Sequence, residues 1–162
     1  MSAPPRTTWS QTLRSAVVSG SCASIASTVA LAVAARVEGK AVAQPINATS
    51  HWLHGEGAGS VKGVDVAHTG VGFVTNHLAC IFWAVFFEAW LARRPAGRAP
   101  TVLRDALALS VIAAAVDYGP TPKRFTPGWE FVLSRKGMAF AYVGLAAGLA
   151  AGALLTRPAV SR

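Results

Sequence analysis

The side chains with most chemical potential in this chain are the ionisable ones that stand inside apolar runs. In Thr75–Trp90, TNHLACIFWAVFFEAW, the residues Asn76, His77 and Glu88 interrupt a block of Leu, Ile, Phe, Val, Ala and Trp, and Asp117 closes another run. An ionisable group within a membrane-spanning helix is costly and faces the bundle interior, which makes each of these a functional-site hypothesis. A His77–Asp117 pair flanked by Asn76 would orient the imidazole and satisfy the carboxylate. Such a site can relay protons, bind a cation, or simply fasten two helices. His77 and Glu88 share a helix face, yet they lie about 16 Å apart along the axis and belong to different sites. Glu88 is one turn from Arg93 and Arg94, so an ion pair with Arg104 or interfacial solvation accounts for it. Asp105, in the first turn of its helix, is favoured there by the dipole.

Three more histidines, His51, His54 and His68, fall between the runs. They are the residues a metal would use, but only His51 and His54 are locally organised. Zinc or copper needs three or four converging ligands, so no metal and no cofactor is expected. Cys22 and Cys80 lie inside apolar runs without CxxC or Cys/His spacing, and read as small buried hydrophobes. Walker loop, nucleophile elbow, HExxH and glycosidase-type carboxylate spacing are all missing.

The elements that carry these residues follow from hydropathy. Apolar residues make up 52% of the chain, well above an ordinary soluble domain, so the net charge of +8 needs a membrane explanation rather than a nucleic-acid one. The Lys and Arg residues flank long apolar runs instead of lining a polar face. Spans are expected at about residues 15–35, 70–91, 102–118 and 137–155, each long enough for a hydrocarbon core of about 30 Å. The first run has a competing reading as a signal peptide ending at Ala32 and Ala34, but its length and the spans that follow favour a retained helix. The fold class is therefore all-α, a polytopic four-transmembrane-helix bundle forming a single membrane domain.

Four spans place the long 37–68 loop and the 119–136 segment, with its Pro-rich 119–127 loop, on the same side. A short interfacial helix at 50–54, anchored by Trp52, is expected in the first of them. In the second, Thr126-Pro127 reads as the start of the last helix. The linker between the second and third spans is short, which makes those helices antiparallel neighbours with His77 level with Asp117. That linker packs Arg93, Arg94, Arg98 and Arg104 close to two helix ends, so both termini are expected in the cytoplasm. In the last span, Gly144, Gly148 and Gly152 recur every four residues and form a packing face. It serves either the small residues Ser19, Ala23 and Ser27 of the first span or a second copy.

The pairing of PINATSHWLHG after the first span with DYGPTPKRFTPGWEFVLS before the last resembles small bacterial four-helix inner-membrane proteins of uncharacterised activity. The resemblance covers most of the chain and rests on loop motifs. It implies an inner-membrane address, and it carries over no functional residue. The partners expected are the lipid bilayer and a second copy or another membrane protein, not nucleic acid. The function expected is a non-enzymatic accessory or envelope-stability component. The alternatives are a small transporter or channel subunit using His77 and Asp117, and a metal-binding protein using the loop histidines.

Overall fold

The computed structural model describes residues 8–94 and 98–157. Four long helices dominate: α1 (Trp9–Val37), α4 (Val71–Ala92), α5 (Ala99–Tyr118) and α6 (Arg135–Thr156). Between α1 and α4 lie two short helices, α2 (Gln44–Thr49) and α3 (His51–His54). All four long helices are apolar and long enough to cross a bilayer, so the chain is an all-α, multi-pass membrane bundle.

Local chemistry sets the helix ends. Thr8 caps α1 in a reciprocal capping box with Gln11. At 29 residues α1 is the longest helix, about 44 Å of axis, so it outruns the hydrocarbon core. Ser134 caps α6 by accepting from the Gly137 amide. The last helix thus begins at Arg135, not near Pro127 as the Thr-Pro signal suggests. The reason is local. The Thr126 hydroxyl shares its one proton between the Lys123 carbonyl and the Glu130 carboxylate, and among the described residues no backbone N–H donates to it as to a cap. Gly128 then turns left-handed at φ +80°, where any Cβ would meet the Ala48 carbonyl.

The helices are arranged as a folded row, α4–α1–α6–α5, and not as a closed ring. At the centre α1 and α6 meet backbone to backbone. A Cβ on Gly144 would stand 2.9 Å from the Ala26 carbonyl oxygen, and one on Gly148 or Gly152 would strike the backbone of Ala23 or Ser19. Gly20 admits α4 on the other side, since a Cβ there would lie 2.6 Å from Ile81 Cα. The glycine edge of α6 is thereby packed against α1 inside the chain.

α5 packs on α6 and touches α4 little. The expected antiparallel α4–α5 neighbourhood is therefore corrected to an open seam. Small residues draw α1 and α6 together in the middle, and their joint thickness holds α4 and α5 apart.

The two inter-helix segments form a folded cap over the end of the bundle where α4 and α6 begin. Every residue of α2 is buried. Asn47 is wholly buried and fully bonded: its amide donates to the Val61 and Gly63 carbonyls, each at 2.8 Å, and its oxygen accepts from Thr69 at 2.6 Å. Gln44 ties Ala41 to Gly59 in the same way. The cap closes on itself through Glu38, whose carboxylate takes both the hydroxyl and the backbone N–H of Ser134.

Candidate functional site

A cavity of about 90 Å³ lies where the cap meets the α4–α5 seam. Thr75, Asn76, Ala79, Cys80 and Trp83 of α4 form one wall, and Asp117 of α5 with Tyr142 and Leu145 of α6 forms another. Ser27 of α1 lies at its floor, while Thr49 and Phe125–Pro127 with Trp129 roof it from the cap. Helical spacing explains the α4 wall, since Asn76, Ala79, Cys80 and Trp83 are three and four apart.

Asp117 is half-buried and accepts a 2.7 Å hydrogen bond from the Tyr142 hydroxyl. Tyr142 in turn packs against Trp129, with ring centroids 5.4 Å apart. Asn76 is buried, and its amide is shared among Ser24, Ser27 and Thr28 of α1 at 3.4–3.5 Å. Two indoles brace the roof: Trp129 donates to Thr49 and Trp52 to Thr75, both at 3.1 Å.

Of the intramembrane residues singled out from sequence, Asn76 and Asp117 line this cavity and His77 does not. The expected His77–Asp117 pair is corrected. His77 stacks on Phe73, 5.9 Å between centroids, and its Nδ1 is buried without a hydrogen-bond partner. Asp117 has Tyr142 instead, because α6 and not α4 is the neighbour of α5.

The expected Glu88–Arg104 pair is corrected for the same reason. Glu88 is 2% exposed rather than solvated, and it accepts from Ser19 at 2.5 Å and pairs with Arg157 at 2.9 Å. That knot ties α1, α4 and the end of α6 together at the end of the bundle away from the cap. Arg104 pairs with its neighbour Asp105, which also takes Arg94.

The loop histidines divide. His51 is buried and both ring nitrogens lie 3.0 Å from carbonyls, those of Ala48 and Lys123, so it pins the 123–125 turn onto α2 and α3. His54 and His68 lie against each other with tilted rings, centroids 4.6 Å apart, on the exposed side of the cap. His68 bonds Asp65, and its backbone N–H and ring hold that carboxyl below the usual aspartate range. Among the described residues no three His, Cys, Asp or Glu side chains converge as a metal site. Both cysteines are free.

Sequence reasoning missed Thr49, Thr75, Trp83, Trp129 and Tyr142. The available signal was the rule that the 37–68 and 119–136 segments share a side, which sets Thr49 and Trp129 over the polar ends of the second and third spans. No protein-family model, curated protein or solved structure matches this chain.

Proposed function

We propose that the protein is a non-enzymatic, solute-binding membrane protein, working as a small transporter or channel subunit of the bacterial inner membrane. The observation that supports this reading is the cavity itself. Convergent polar groups, Asn76 and Asp117, stand among aromatic walls at the membrane end of a folded cap, beside a seam that the helices leave open. The metal-binding alternative has less to stand on, since His51 is spent on carbonyls. The inner-membrane address follows the loop resemblance. Cytoplasmic termini follow the Arg-dense linker at 93–104, which puts the cap in the periplasm. The bilayer, a membrane partner or a second copy would cover the exposed faces of α4 and α5, such as Phe82, Phe86, Val111 and Ile112.

A thermal-shift screen of the purified protein in detergent tests the reading. A ligand that binds only the folded state raises stability by RT ln(1 + [L]/Kd). Among small cationic, neutral and anionic solutes, at least one class should raise the unfolding midpoint of the wild type and fail to do so for Asp117→Asn. If no solute shifts the wild type, or if Asp117→Asn responds equally, the reading is wrong.

A further inference from the structure

The hydrogen-bond polarity of the cavity wall says which charge of solute fits it. Each wall hydroxyl has its proton committed elsewhere. Thr49 donates to the Pro45 carbonyl at 3.2 Å, Thr75 to Val71 at 2.8 Å and Ser27 to Ser24 at 3.1 Å, and the Thr126 proton is shared between Lys123 at 2.9 Å and Glu130 at 2.5 Å. Tyr142 donates to Asp117. A hydroxyl has one proton and two lone pairs, so what these groups have left to offer is acceptor capacity. Of the lining donors, the Asn76 amide is already directed at three α1 hydroxyls and the Trp129 indole at Thr49, which leaves the Trp83 indole N–H against the acceptors and the carboxylate.

Charge points the same way. Asp117 is the charged residue of the lining, and no Lys, Arg or His is among the described residues that form it. Lys123 and Arg124 sit on the neighbouring turn but outside the wall, with the Arg124 guanidinium donating to the Trp52 carbonyl at 3.2 Å. Glu130, held by Thr126, sets a second carboxylate beside the roof. The rest of the lining is apolar, with four aromatic rings in it, from Trp83, Phe125, Trp129 and Tyr142. A carboxylate with aromatic rings is the surrounding that favours an organic ammonium. A bare alkali or alkaline-earth cation would call for a full shell of converging oxygens instead, and Thr49, Thr75 and Ser27 already accept from Trp129, Trp52 and Asn76. The space of about 90 Å³ suits a group of a few heavy atoms.

We infer that the Asp117 cavity binds a compact organic ammonium, with the Asp117 carboxylate as its counter-ion. This rests on the solute-binding reading and adds the substrate class. Trp83 and Trp129 line the cavity and serve as native fluorescent reporters. The full-length protein in detergent is titrated with methylammonium chloride, potassium chloride, neutral acetamide and sodium acetate at constant ionic strength. Methylammonium alone should give a saturable change in tryptophan emission. Its apparent Kd should weaken at least about tenfold in Asp117→Asn and stay unchanged in Asp65→Asn, on the exposed cap.

An equal response to acetamide or acetate would overturn the cationic class while leaving solute binding intact. An equal response to potassium would overturn the organic class. An unchanged Kd in Asp117→Asn would remove Asp117 as the counter-ion. Silence toward all four, with no hit in the thermal screen, would sink both the inference and the reading beneath it. The selectivity among the four solutes is read on the wild type, so it decides the matter even if the variant does not fold.

Discussion

Asp117 and Glu88 are both carboxylates in apolar helices, and their surroundings divide their roles. Glu88 is sealed among three helices with Ser19 and Arg157 as partners, while Asp117 keeps one hydrogen bond and borders a cavity. Removing one member of a buried ion pair strands the other, at a cost of about 3–5 kcal/mol. Arg157 keeps 21% side-chain exposure, which places Glu88→Ala near the lower end, about 3 kcal/mol of lost stability in equilibrium unfolding. Asp117→Asn keeps the shape and an acceptor for Tyr142, so it should lose the solute response while its unfolding midpoint moves little. A large destabilisation by Asp117→Asn with small effect of Glu88→Ala would reverse the assignment. Both carboxylates are visible in the sequence as polar interruptions. Their partners are not, because Ser19, Arg157 and Tyr142 come from other helices.

At the scale of elements, the four spans were legible, the length of the first (Trp9–Val37 against an expected 15–35) was not, and neither was the neighbour order. An apolar run of this length must cross the bilayer, whichever face it turns inward. Lipid is as apolar as a helix interface, so hydropathy alone says little about which helix packs on which. The small-residue stripe of α6 is the exception, because only small residues permit the approach that α1 makes. Gly148→Val would drive a side chain into the Ala23 backbone, and should cost about 3 kcal/mol, read by detergent-resolved unfolding.

The cap carries its own pH signature. The hydroxyl and then the backbone N–H of Ser134 hold the Glu38 carboxyl below its ordinary value of 4.5. A carboxyl with a lowered folded pKa contributes stability above its unfolded value and loses it as the pH falls through the folded one. Amide exchange at Ser134 and Gly137 should therefore accelerate as the pH drops below about 4.5, after correction for intrinsic rates, and Glu38→Gln should remove that dependence. A pH-independent protection in the wild type would contradict the clasp.

As a whole, the molecule is a row of four spans whose open seam is roofed by a cap folded from both same-side segments. That the 37–68 and 119–136 segments share a side was readable from the span count alone. Their mutual packing was not, since it runs through hydrogen bonds such as His51 to Lys123 and Trp129 to Thr49, which no local pattern announces. The arrangement sets the cap and the 93–104 linker on opposite sides, and the proposed orientation puts the cap in the periplasm. In a Cys22→Ser, Cys80→Ser background, Ser60→Cys and Arg98→Cys should label with an impermeant maleimide from opposite faces of the membrane, Ser60→Cys from the periplasm. Labelling of both from one face would break the four-span topology.

The central claim is that the Asp117 cavity is open to solutes and negative in potential. Its most direct measurement uses Ala79→Cys, on the cavity wall, in the same background. The thiol is reacted with an ethylammonium and an ethylsulfonate methanethiosulfonate of similar size. A single carboxylate in a low-dielectric cavity should favour the cationic reagent by about tenfold or more. Adding Asp117→Asn should bring the two rates together. Equal rates in the presence of Asp117, or no reaction with either reagent, would contradict the account.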